Sequence, residues 1–271
     1  MMQTNREKYL FDDFTFDNYR RLIRMAKSEG FEFILHKDAK ERFDSERRDI
    51  IWRHDVEFSP VVALRMAEIE HDEGVQSTYF WQLHTDYYNT ASPFFTDLLI
   101  KIESLGHCIG LHFDSHFWDI RSEDALDRSI QTDASYLEHV VRGRGQDVKL
   151  DTFSFHNTNQ FVLGCQKLVY GGLINVYSSY YRERYDYCAD STGIWRYDRL
   201  EEKLLDPSVR HLHVLTHDGM WSDVAMSPHA RIMDCIQDEA DRKKRGYAKG
   251  LPRTGNINVG EVSINPGIGE R

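Results

Sequence analysis

With 271 residues, 41% of them apolar and 13% aromatic, the chain can bury a sizeable core, and α/β barrels commonly reach about 250 residues as one unit. A net charge of −10 argues against nucleic acid and anionic membrane surfaces as main partners. The polar start MMQTNREKYLFDDF lacks the apolar core of a secretory signal, and no run approaches the roughly 20 apolar residues of a membrane span. Cys108, Cys165, Cys188 and Cys235 have no paired short spacing, so the expected location is the reducing cytoplasm.

In chain order, FTFDNYRRLIRMAKSEG reads as a helix with Thr15 as N-cap, Gly30 as its stop and Leu22, Ile23, Met25 and Ala26 as its apolar face. FEFIL follows as a strand, and HKDAKERFDSERRD as a charged connector. IIWRHDV is the second strand. SPVVALRMAEIEHDEG is a helix with Ser59 as cap, Pro60 in the first turn and Gly74 at its end. VQSTYFWQL is a strand. SPFFTDLLIKIESLG repeats the Ser-Pro start and Gly stop, HCIGLHF is a strand, and SEDALDRSIQTDASYLEHVV a long helix. LDTFSFH, LINVYSS and HLHVLTH are further strands. The glycine-rich end GLPRTGNINVGEVSINPGIGER reads as an extended tail. This alternation predicts a parallel α/β sheet or barrel. Three parts follow: a helix–strand extension over 1–48 packed on the barrel, the barrel over 49–235, and a C-terminal tail over 236–271.

In such folds the carboxyl ends of the strands build the site, and here those ends carry ionisable residues. Asp55 and Glu57 alternate, so they face one side, with Val56 turned into packing. Two adjacent acids repel unless a cation or proton intervenes, which suits one ligand and one base; a solvated strand end is the alternative. His112 and His116 are four apart. On a continued strand they would stand about 13 Å apart, but a bend after His112 would let both reach one ion. With one acid they would satisfy zinc and leave an open position; solvated loop histidines are the alternative. His156, His217 and Asp218 close two more strands. The run YSSYYRERYDYC reads either as a sugar-stacking surface, with Arg182 and Arg184 meeting a carrier phosphate, or as a packed strand and exposed loop.

RHDVE, TYFWQLHTDYYN, LGHCIGLHFDSH, FSFHNTN, YCADSTGIW and VLTHDGMW, taken in order, resemble the polysaccharide deacetylase family, also called NodB-homology or carbohydrate esterase family 4. The nearer resemblance is to the branch whose first motif reads Arg-His-Asp-Val-Asp. The resemblance spans Ile50 to Trp221. It implies a distorted, incomplete (β/α) barrel with one divalent metal, zinc being the expected ion. Carried over by position, Asp55 matches the catalytic base, and Glu57, His112 and His116 the metal ligands. His217 matches the general acid and Asp190 its supporting acid. Trp195 and Trp221 match walls of the acyl pocket, and His156 and Arg53 fall with the substrate-binding residues. Three positions depart from the pattern. Glu57 stands where the branch has Asp, the arginine expected after His156 is missing, leaving Arg53 as the candidate partner of Asp55, and Asp218 replaces a common proline. An acid beside His217 would raise its pKa.

The implied activity is metal-dependent removal of an N-acetyl or other N-acyl group from a sugar. The expected substrate is a small or carrier-linked intermediate of surface polysaccharide synthesis. The alternatives are an inactive barrel that binds a glycan or partner protein, and a metal amide hydrolase acting on a non-sugar substrate.

Overall fold

The computed structural model describes residues 3–43, 46–253 and 255. Local sequence signals set most of its elements. Thr15 caps the helix Phe16–Ser28 by accepting the Asn18 amide. Ser59 does the same for the helix Pro60–Asp72 through the Val62 amide. After these two helices and the helix Pro93–Ser104, Gly30, Gly74 and Gly106 take φ values of 81°, 68° and 97°, which reverse the chain at no Cβ cost.

The strands are β1 (Glu32–Phe33), β2 (Asp49–Val56), β3 (Thr78–Gln82), β4 (Cys108–Asp114), β5 (Thr152–His156), β6 (Val169–Tyr170), β7 (Leu173–Asn175), β8 (Asp186–Ala189) and β9 (His211–His217). They form one sheet in the order β6-β7-β5-β4-β3-β2-β9-β8, with β1 added beside the start of β2. Every pairing is parallel except the β6–β7 hairpin. The edges β6 and β8 do not meet, so this is the distorted, incomplete (β/α) barrel expected from the sequence.

All eight residues of β2 are buried, and they divide between two environments by period two. Ile50 and Trp52 pack with Phe16, Tyr19 and Leu22 of the capped helix, and Val56 with Ala63, Leu99 and Phe113. Arg53 and Asp55 turn the other way, toward Ser154 of β5. Inside the barrel Gly110 makes room for the Phe80 ring, because a Cβ there would lie 2.5 Å from two ring carbons.

His54, on the packing face, joins a buried polar cluster around Glu70 of the Pro60–Asp72 helix. The Glu70 carboxylate accepts from Tyr19 (2.6 Å), Ser77 (2.6 Å) and Tyr79 (2.7 Å), and lies 2.8 Å from His54 Nε2. Burial opposes its charge, but His54, His107 and the Ser77 hydroxyl outweigh that and bring its pKa down to about 2.

Three expectations need correction. The charged connector after β1 contains a helix, His36–Arg42, that buries His36 and Ala39; two buried positions three apart suffice to dock it under the barrel. The tyrosine-rich run is a short helix, Ser179–Arg184, followed by β8. The boundary expected at 235/236 falls inside one helix, Pro228–Arg253. Of the expected tail, residues 254 and 256–271 lie outside the described residues. The four cysteines are unpaired. Among the described residues no helix is long and apolar enough to cross a membrane.

Candidate active site

Glu57, just past β2, His112 on β4 and His156 at the end of β5 converge at the carboxyl end of the sheet. Glu57 Oε1 lies 3.0 Å from His112 Nε2 and 2.8 Å from His156 Nδ1, and the two ring nitrogens are 3.2 Å apart. Burial opposes the Glu57 charge, yet hydrogen bonds with His112 and His156 hold its pKa well below the ordinary range. The same contact raises the pKa of His156 against the pull of burial.

His116 stands apart from this cluster. Strand β4 runs straight on to Asp114, whose carboxylate accepts the His116 amide at 2.9 Å and starts an outward turn. The His116 side chain is 56% exposed, its Nδ1 3.9 Å from Asp114. The second imidazole beside Glu57 comes instead from the neighbouring strand. His112 is in register with Ser154, so His156, two residues further along β5, shares its face. His156, grouped by its sequence position with substrate-binding residues, therefore takes the place expected for His116.

Asp55 lies deeper. Arg53 Nη1 donates to its Oδ1 at 3.1 Å and Ser154 Oγ to its Oδ2 at 3.3 Å, while Arg53 also donates to Ser154. Burial weighs against the guanidinium charge, but Asp55 outweighs it and holds the Arg53 pKa above its usual value. Arg53 is thus the partner of Asp55, and at 1% exposure it is a buried positioning group. Asp55 Oδ2 is also 3.8 Å from His112 Nδ1, on the far side of the ring from Glu57.

His217 closes β9. Its Nδ1 is 2.6 Å from Asp190 Oδ1, and its amide donates to Asp190 Oδ2 at 3.0 Å. Burial opposes protonation of the ring, but the Asp190 charge and hydrogen bond prevail and raise the His217 pKa to about 10. The expected pairing of these two residues is present. Asp218 plays no part in it. Its carboxylate turns back to accept the amides of Glu57 (3.0 Å), Phe58 (3.1 Å) and Ser59.

The two tryptophans also sit differently from expectation. Trp221 is 2% exposed and donates to Asp190 Oδ2 at 2.9 Å, and Trp195 donates to Asp13 at 2.9 Å. The cleft beside Glu57 and His217, about 480 Å³, has Phe58, Met220, Pro228 and Ile232 as its apolar wall. Trp221 fixes Asp190 from behind and does not line this cleft.

One carboxylate and two imidazoles, with all three donor atoms within 4.8 Å of one another, suit a divalent ion and leave a further coordination position open. Outer contacts fit the same use. Asn157 Nδ2 lies 2.8 Å from His156 Nε2. The other amide orientation, equal in shape, would accept the Nε2–H and leave the Nδ1 lone pair free. Ser154 and Asn157 have no role in the sequence reading, although both lie beside His156 within FSFHNTN, which was the available signal.

No protein-family model matches the chain, and no curated protein does. Solved structures that resemble it include a family 4 carbohydrate esterase from Bacillus anthracis, at 16% identity over 82% of this chain and 85% of that one, with a TM-score of 0.42. A CE4 esterase from Streptococcus mutans is 13% identical over 77% and 88% of the two chains, with a TM-score of 0.46. A CE4 family pseudoenzyme from Bacillus anthracis is 13% identical over 72% and 63%, with a TM-score of 0.42.

Proposed function

We propose that this chain is a metal-dependent hydrolase that removes an N-acetyl or other N-acyl group from a sugar, with a small or carrier-linked intermediate of surface polysaccharide synthesis as substrate. The observation that carries the reading is the convergence of Glu57, His112 and His156 beside Asp55, which Arg53 holds, and His217, which Asp190 holds. Glu57, His112 and His156 would hold the ion, for which we propose zinc on the strength of the N and O donors. Such an ion supplies Lewis-acid polarisation of the acyl carbonyl and acidifies water.

The chain's own groups account for the proton transfers. Asp55, aimed by Arg53 and Ser154, takes the proton of the attacking water as its oxygen bonds to the acyl carbon. His217, kept protonated by Asp190, gives a proton to the nitrogen as the C–N bond breaks. Phe58, Met220 and Ile232 offer an apolar wall to the acyl group and keep water from it.

The test has two arms. Purified protein is assayed for bound metal, and acetate release is followed on N-acetyl sugars and on non-sugar amides. Stoichiometric metal with release from N-acetyl sugars supports the proposal. Metal with release only from non-sugar amides moves the substrate class, and protein without metal or release favours the inactive barrel that binds a glycan or partner protein.

A further inference from the structure

The barrel is open between its edge strands β6 and β8, and the helix Ser179–Arg184 falls in sequence between β7 and β8. A cavity of about 270 Å³ occupies this seam, walled by Arg53, Tyr177, Tyr181, Arg182, Tyr185 and Tyr187. It is distinct from the cleft beside Glu57 and His217, with which it shares no lining residue. The proposed reaction leaves it unused.

Its chemistry is one-sided. Two guanidinium groups face it, and none of its lining residues is acidic, in a chain of net charge −10. Arg53 forms a partition. One terminal nitrogen, Nη1, is engaged by Asp55 and Ser154 on the barrel side. Its buried Nε has no hydrogen-bond partner. That Nε is also closed off from solvent, so what Arg53 offers the cavity it lines is its positive charge. His213, also in the wall, is held neutral: burial, His36 and Arg53 push its pKa well down. Tyrosine faces, with Leu163 and Val176, supply an apolar, flat-sided remainder. The volume lies just under the roughly 300–1,000 Å³ usual for ligand pockets, which limits an occupant to about one ring.

We propose that the seam cavity is a second binding site, for a small aromatic carboxylate. The carboxylate meets the positive charges of Arg53 and Arg182, and the ring lies among the tyrosines. This goes beyond the hydrolase reading and does not depend on it.

Benzoate is the probe, titrated calorimetrically into the full chain, with benzamide as the uncharged match. The expected result is saturable benzoate binding that weakens at least tenfold in Arg182→Ala and in Leu163→Trp, the latter filling the cavity from its exposed rim. Benzamide should bind at least tenfold more weakly. Binding should persist in His112→Ala, which removes the Glu57 cluster and with it the hydrolase chemistry. Absence of saturable binding to the wild type overturns the proposal. So does binding that survives both seam variants, or that disappears in His112→Ala alone, since carboxylate would then be going to the Glu57 cluster.

Discussion

Asp55 and His217 are register partners on the adjacent parallel strands β2 and β9, so both side chains enter the barrel at the same height. Each has its own counter-charge: Arg53 stands 3.1 Å from Asp55, and Asp190 stands 2.6 Å from His217. A carboxylate held by a guanidinium thus stands beside an imidazole whose protonated form a second carboxylate favours, the pair of groups that a base and an acid require.

Asp55→Asn is expected to keep bound metal and lose turnover by roughly 10²–10⁴-fold, the usual worth of one proton-transfer group. His112→Ala should lose both. Metal content and acetate release, measured on the same preparations, check the pair of outcomes.

His156→Ala and His116→Ala separate the ligand set seen in the structure from the one implied by motif position. Replacing His156 should lower metal affinity sharply, because its Nδ1 is 2.8 Å from Glu57. Replacing the exposed His116 should leave affinity within about twofold. Chelator competition reads both, and the reverse order would restore His116 as the ligand.

Asp190→Asn should move the alkaline limb of the rate profile to lower pH. A general acid works while protonated, so activity falls as pH rises through its pKa. Asp190 is the main group raising the His217 pKa to about 10, and without its charge that loss comes earlier. The pH dependence of kcat/KM for the two proteins is the measurement.

Glu70→Ala should destabilise the fold by about 3–5 kcal/mol, the usual cost of removing one partner from a buried charged cluster. Urea denaturation reads it. The group's pKa is about 2 in the fold against an ordinary 4.5. Its contribution is therefore fully present above about pH 4.5 and is lost as pH falls toward 2. The variant should show a shallower acid unfolding limb than the wild type.

The sequence disclosed what depends on local rules. Ser59-Pro60 announced a helix start, and period two put Asp55 and Glu57 on one side with Val56 on the other. What depends on strand adjacency was hidden. His156 reaches Glu57 only because β5 lies beside β4 with Ser154 opposite His112, a relation no spacing within one strand encodes. For His116 the local cue pointed the wrong way: Asp114 does make a turn, but outward. Trp221 follows His217 by four residues, and its position in sequence could not tell a cleft wall from a donor buried behind Asp190. Of the β6–β7 hairpin, β7 lies within the strand read from LINVYSS, while β6 has two residues, too few for a hydrophobic period to register.

The Asp218 carboxylate, gripping the amides of Glu57, Phe58 and Ser59, makes the end of β9 and the loop after β2 a single mechanical piece. His217 and Glu57 ride on the two halves of that clamp. A disturbance that shifts the tip of β9 will carry both along and preserve their spacing, whereas one that cuts the clamp, such as Asp218→Ala, will let the two drift independently while leaving each of their own side-chain partners in place.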